Sequence, residues 1–324
     1  MDPISHALVG AAIGGLRDGA APGACLWAAV AGAVIPDIDF AVRLVAGEAA
    51  YLDHHRGPTH GPVGWVAEAG AIAGVLKALA PDAGFGALFL WALAGVLSYV
   101  FLDLTNAYGT QALWPLSRRR YAWDWTQVVD LPILALGLGN LTLAWLMPER
   151  HRLWGLLVLA GIGLYLAFRA WVHGVLLAAV RRRFPGAGAV SVIPGLVGWN
   201  RWRYVAELPD RALVGWVTLR PLAVGEPREQ ARLQDRVVAA SLASPMAQLI
   251  RRFSRHPCAA WEPLGDGYRV RWYDLRYEFG SFTPFAAEVV LDPELNLVDD
   301  RLSRPRPDRQ AAGLLLREAL RGRG

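Results

Sequence analysis

The sequence predicts a mainly α fold: a polytopic transmembrane helical bundle of five to six helices followed by a small α+β soluble domain. Three observations predict it. Of 324 residues, 54% are hydrophobic and 19% charged, where a soluble domain carries about 25% charged residues. The apolar excess is concentrated in the first part of the chain, which is rich in Ala, Leu, Gly, Val and Trp. The later part holds most of the Arg, Asp and Glu, and its short apolar runs are separated by Pro and Gly. The expected division is therefore a membrane domain over residues 1–183 and a soluble domain over 184–324.

The first apolar segment runs from Ile4 to Leu16. It is short against the roughly 20 residues a span needs, so a tilted or partly inserted helix is expected. A second runs from Ala24 to Leu44 but contains Pro36, Asp37 and Asp39. Proline removes a backbone donor and disfavours helix at the residue before it, so the helix is expected to break there, with a loop to follow through His54 and His55. Further segments run from Pro62 to Leu79, Phe85 to Leu104, Val128 to Met147 and Leu153 to Val180. In the second domain, Val190–Ile193, Tyr204–Glu207, Leu213–Leu219, Tyr268–Tyr273, Phe285–Leu291 and Asn296–Arg301 read as strands. Pro227–Phe253 reads as helix with an interruption near Ser244-Pro245, Pro227 standing in the first turn where its missing N–H costs nothing, and Gln310–Leu320 reads as an amphipathic helix.

Six segments place both chain ends on one side. The loops of that side carry eight Arg and the opposite loops four Lys or Arg, so both termini are expected in the cytoplasm, in a multi-pass protein of the inner membrane. The net charge of +5 fits that topology and contact with anionic headgroups, and no nucleic-acid partner is expected. Cys25 and Cys258 lie in different domains and are not expected to pair. No signal peptide is evident.

Chemistry is concentrated at one end of this bundle. His6 begins the first segment, and Asp37 and Asp39 end the second. His55 and His60 begin the third, Asp103 ends the fourth, and Asp130 begins the fifth. In an up-and-down arrangement all of these share the cytoplasmic end, which is how helical bundles assemble metal sites. Carboxylate and imidazole are the usual ligands of Zn²⁺, Mn²⁺ or Fe²⁺, and ionisable groups beside apolar spans are functional candidates by default. The expected ligands are His6, Asp37, Asp39, His55, His60 and Asp103, around one or two divalent metals, zinc first among them. Asp39 or Asp130 is the expected general base, and Arg56 the expected holder of an anionic substrate group. Each also has a plain structural reading, as an interfacial charge or a helix cap. There is no Gly-x-Ser-x-Gly motif, Walker loop or dinucleotide fingerprint.

At Ser5-His6, Pro36-Asp37-Ile38-Asp39, His55-Arg56-Gly57-Pro58-Thr59-His60 and Leu102-Asp103 through Tyr108-Gly109, the chain resembles the YdjM-like family of bacterial inner-membrane proteins. That family is described as membrane-bound, metal-dependent hydrolases, and the resemblance covers roughly residues 1–180. It implies metal-dependent hydrolysis, and a site at headgroup level suggests a lipid or lipid-linked ester or phosphoester as substrate. The family often has Ser-His where this chain has Ser98-Tyr99, which implies either that this histidine is not essential or that the metal site here is changed or weakened. The alternative is a non-catalytic membrane anchor with a structural metal. A transporter is disfavoured, because its charged groups belong near the bilayer midplane.

Overall fold

The computed structural model describes residues 1–17, 22–195, 199–231, 235–278, 283 and 285–303. These form two compact units, one of residues 1–45 with 54–171, the other of residues 46–53 with those from 172 onward. The division differs from a cut at 183 because Val172, Leu176 and Val180, at the end of a long helix, are buried among strand residues Val192, Trp202, Tyr204 and Val217.

The first unit is helical. It contains α1 (Pro3–Gly14), α2 (Pro22–Gly32), a 3₁₀ turn over Ile35–Asp39 and the start of α3 (Phe40–His54). A 3₁₀ turn at Pro58–His60, α4 (Pro62–Leu79), α5 (Phe85–Thr105), α6 (Leu131–Leu146) and the start of α7 (His151–Arg183) complete it. The chain past Pro36 is thus a tight turn and a new helix, where a loop was expected. By length and composition α4, α5 and Pro148–Arg183 can cross a membrane. The bent pair Gly23–Gly32 and Ile35–His54, turned by 47°, makes a fourth candidate. Helices α1 and α6 are apolar but shorter. The twelve residues of α1 reach about 18 Å at 1.5 Å per residue, against a hydrocarbon core of about 30 Å.

Helix α5 is the axis of this unit. One core cluster joins it through Leu102 to Val9 and Ala12 of α1, Ile133 of α6 and Val158 and Ile162 of α7. Another joins it through Leu88 and Ala92 to Ala28 of α2 and to Ala69 and Ile72 of α4. Small residues let the backbones touch, the usual device of helix packing in membranes. A Cβ on Gly32 would stand 2.1 Å from the Ala92 carbonyl oxygen, and one on Gly95 would stand 2.2 Å from that of Ala29.

The second unit holds β1 (Ala189–Pro194), β2 (Arg201–Glu207), β3 (Arg211–Thr218), β4 (Ala223–Val224), β5 (Arg228–Ala231), α8 (Arg236–Ser241) and α9 (Pro245–Phe253). Strands β6 (Pro257–Leu264), β7 (Gly267–Asp274), β8 (Ala286–Leu291) and β9 (Leu297–Ser303) follow. One antiparallel sheet has the order β1-β2-β3-β4 with β5 also on β3, and the other runs β6-β7-β8-β9. Val205, Ala212 and Val214 of the first share a core with Cys258, Tyr273 and Ala286 of the second. Both cysteines are free.

The stretch expected as helix with an interruption near Ser244-Pro245, Pro227–Phe253, begins instead as a strand and continues as two short helices that part just before Pro245. Arg228–Ala231 pairs with β3, a case of sheet context overriding local propensity. Ser244 ends the run: its Oγ accepts from the Ala247 N–H at 3.0 Å, capping α9. Strand β6 was not expected. It forms a hairpin with β7 in which Leu264 faces Gly267, and Gly265 takes the left-handed φ of 60° that so tight a turn requires. The expected helix Gln310–Leu320 lies outside the described residues.

Candidate functional site

The site is built on Asp103, in the last turn of α5 and fully buried. Helix α1 brings His6 to it. Asp2 caps that helix, its carboxylate accepting from the Ser5 N–H at 2.9 Å and the Ser5 hydroxyl at 2.6 Å, and His6 follows one residue later with Nε2 3.3 Å from Asp103 Oδ1. The turn before α4 brings His60, whose Nε2 is 3.6 Å from Asp103 Oδ2. Thr59 Oγ1 lies 2.9 Å from His60 Nδ1, and Trp65 donates to the His60 backbone carbonyl at 2.7 Å, so the ring and the main chain of this residue are each anchored. His6 and His60 are wholly buried, and neither Nε2, nor Nδ1 of His6, has a hydrogen-bond partner. The Met1 ammonium touches Asp103 Oδ1.

Arg56 completes the cluster from the same loop as His60. Its Nε lies 2.9 Å from Asp103 Oδ2, and Nη1 donates to Asn106 Oδ1 at 3.0 Å. The guanidinium also stands 4.7 Å from the centre of the Tyr108 ring. Its backbone has φ 57°, unusual for a residue with a side chain. That conformation is locked by the Arg56 N–H donating to Asp39 Oδ2 at 2.8 Å and by the Arg56 carbonyl accepting from Gln111 N–H at 2.9 Å. Burial alone would lower the Arg56 pKa, but the Asp103 carboxylate reverses this and holds it above its ordinary value. For His60 burial prevails over the pull of Asp103, the pKa falls, and the ring is neutral at pH 7.

The expected site residues thus fall into three groups. His6, His60, Asp103 and Arg56 meet directly. Asp37 joins them through Tyr99, whose hydroxyl donates to Asp37 Oδ1 at 2.6 Å while its ring stacks on His6 at 3.8 Å between centres. Asp39 and His55 form a pair alongside, with His55 Nδ1 3.1 Å from both Asp39 oxygens, linked to the cluster by the Arg56 backbone. Asp130 is apart from them. It caps α6, accepting from the Ile133 N–H at 3.5 Å and from the Tyr165 hydroxyl at 3.1 Å, and burial raises its pKa against the opposing effect of Tyr165. Arg56 was expected to hold a substrate anion, and its guanidinium is engaged with Asp103 and Asn106 inside the protein.

Residues 1–175 match the family described as YdjM inner membrane protein. The chain belongs to that family. It is a membrane protein, as the YdjM family and the candidate spans both require, and the bilayer is its environment. Residues 236–304 match the YfhP C-terminal alpha/beta plait domain, in keeping with α8 and α9 beside the β6–β9 sheet. The chain is also similar to a protein of Bacillus subtilis (strain 168), YfhP, described as uncharacterized. The two are 28% identical over 322 residues, covering 92% of this chain and 93% of that one. No solved structure matches.

Among the described residues no group of three or more His, Cys, Asp or Glu side chains stands in metal-binding arrangement. The Asp103 oxygens face Arg56 and the Met1 ammonium instead. The donor chemistry nevertheless fits a divalent metal. Two neutral-type nitrogen ligands are buried without hydrogen bonds against a carboxylate. Their separations of 3.3 and 3.6 Å are close to the roughly 3.3 Å between ligands of a tetrahedral zinc with bonds of about 2.0 Å.

Sequence reasoning also passed over Glu68 on α4, whose two carboxylate oxygens are buried without hydrogen-bond partners. A lone acid inside an apolar span was the available signal. Tyr99 was marked by the resemblance, as the position where the family often has histidine, and its bond to Asp37 was not foreseen.

Proposed function

We propose that this YdjM-family protein is a membrane-bound metal-dependent hydrolase with its site at the cytoplasmic face, acting on a lipid or lipid-linked ester or phosphoester. The observation that carries the reading is the burial of the unbonded His6 and His60 Nε2 atoms against Asp103, from three separate segments of the chain. Buried polar atoms without hydrogen bonds cost free energy, and a cation held by them offsets that cost. His6, His60 and Asp103 would hold the metal, with Asp37 beside them. A divalent metal there supplies an acidified water and polarises the scissile bond. Asp39 and His55 are the proton-transfer pair, since a carboxylate set on an imidazole fixes the orientation of the ring. Arg56 balances the charge of Asp103 and, through its backbone, ties the pair to the metal-holding group.

The test is metal analysis of the purified protein by plasma mass spectrometry, paired with hydrolysis of chromogenic esters and phosphoesters. About one equivalent of zinc, manganese or iron is expected, and a tenfold or greater fall in affinity for His60→Ala. Full occupancy in a variant lacking both His60 and Asp37 would sink the reading.

A second reading rests on the ion pairs already made by Asp103. With Arg56 and the Met1 ammonium on its oxygens, the cluster also works as a structural lock in a non-catalytic membrane anchor. That protein would be metal-free as purified, and chelator would leave its melting temperature unchanged.

A further inference from the structure

A second constellation lies in the other unit and takes no part in the proposed metal chemistry. Ser191 on β1, Glu207 at the end of β2 and His256 just before β6 form a chain of short hydrogen bonds. His256 Nδ1 is 2.7 Å from Glu207 Oε1, and His256 Nε2 is 2.7 Å from Ser191 Oγ. Ser191 and His256 are buried. Arg255 Nη2 donates to the same Ser191 Oγ at 2.9 Å.

With Glu207 ionised and His256 neutral, the hydrogen bonds set which way the protons point. An ionised Glu207 only accepts, so the proton of a neutral His256 sits on Nδ1 and Nε2 is the acceptor. Arg255 only donates. The Ser191 hydroxyl therefore accepts from Arg255 and gives its own proton to His256 Nε2. This is the protonation pattern of a nucleophile, its base and the group that orients the base, and such sets are recognised by geometry and role, not by sequence position. That is why the absence of a Gly-x-Ser-x-Gly motif did not reveal it.

Each member is fixed by its neighbours. Asp274 accepts from the Arg255 N–H at 3.0 Å and is paired with Arg276 at 2.7 Å, while the His256 carbonyl accepts from the Leu275 N–H at 3.1 Å. Among the described strands β1 pairs only with β2. Its other edge has no partner among the described strands, and the outward N–H groups of such an edge are the kind of donor an oxyanion uses.

The geometry points to a serine nucleophile at Ser191, with His256 as base and Glu207 as the residue that positions it, acting on a carboxylic ester. Ser191 Oγ bonds to the ester carbonyl carbon as its proton passes to His256 Nε2. The tetrahedral oxyanion forms beside the Arg255 guanidinium. The C–O bond to the alcohol then breaks, the leaving alkoxide takes the proton from His256, and the acyl group remains on Ser191. Water, deprotonated by the same imidazole, releases the carboxylic acid and restores the serine.

The experiment is labelling of the full-length protein in detergent micelles with a fluorophosphonate, in which Ser191 Oγ displaces fluoride. Intact mass is expected to show one adduct, and peptide mapping of the unmodified sequence to place it on Ser191. His256→Gln is expected to slow labelling by about 100-fold and Glu207→Gln by about tenfold or more, the range for removing a positioned acid–base group or its support. EDTA is expected to have no effect, which separates this site from the proposed metal site. Absence of an adduct, an adduct on another residue, or an unchanged rate in His256→Gln overturns the proposal. Mapping on the wild-type chain makes the outcome independent of whether any variant folds.

Discussion

Asp103 meets two imidazoles, a guanidinium and an ammonium, and it is fully buried. Losing one partner of such a buried pair costs about 3–5 kcal/mol, because the other charge is stranded. Asp103→Asn is therefore expected to lower the melting temperature in detergent far more than a surface change, with Arg56 left uncompensated. Tyr99→Phe tests the link to Asp37. It removes the hydroxyl that donates to Asp37 Oδ1 while keeping the ring on His6, and a loss of about 1–2 kcal/mol is expected in the same melt. The second unit has its own buried pair, Asp274 with Arg276. Burial alone would raise the Asp274 pKa, but Arg276 overrides it and holds the pKa below the ordinary value. A lowered carboxylate pKa gives stability that is complete above the unfolded value of about 3.9 and is lost as pH falls through the folded one. Hydrogen exchange over β6 and β7 is thus expected to be pH-independent in its stability from pH 7 to about 5, corrected for intrinsic rates, and to lose protection below about pH 4. Asp274→Asn removes that acid dependence.

The elements hold these residues in place through backbone proximity as much as through side chains. At the crossing of α2 and α5, Gly32 and Gly95 leave no room for a methyl group. Gly95→Ala puts a Cβ against the Ala29 carbonyl, and the helices must part. The expected cost is about 1–3 kcal/mol of overpacking, with the displacement carried to the Ile35–Asp39 turn that follows α2. Reduced metal content together with a lower melting temperature would link the crossing to the site. The break at Pro36 has a positive use as well. A 3₁₀ turn there sends Asp37 toward Tyr99 and Asp39 toward His55, which a continuous helix would not do with residues two apart.

At the scale of the molecule, the charge bias of the loops makes a prediction about orientation. With both ends in the cytoplasm, a carboxy-terminal fluorescent protein fusion is expected to glow and a carboxy-terminal alkaline phosphatase fusion to be inactive. The opposite pair of results would remove the argument that His6, Asp37, His60 and Asp103 share the cytoplasmic face. The two units are also chemically distinct. One carries its polar cluster at the ends of apolar helices, the other between strands of antiparallel sheets, so chelation and serine-directed reagents are expected to act on them independently.

The sequence by itself determined the class of the fold and set His6, His60 and Asp103 at one end of a bundle, while Arg56, read from sequence as a substrate contact, joins them only in the structure. Hydrophobic run length and the alternation of helix direction are local or additive properties, and they suffice to sort residues by end. The break at Pro36 was legible for the same reason, being a property of the proline ring. Only the tertiary structure decided which acids meet which bases. Asp39 went to His55, Asp37 to Tyr99, and Asp130 to the cap of α6, because a carboxylate takes whichever donor the packing brings within about 3 Å. The strand at Arg228–Ala231 and the Ser191–His256–Glu207 set were hidden likewise. Their partners are distant in the chain, and nothing in the intervening residues records that a strand edge or an imidazole will arrive.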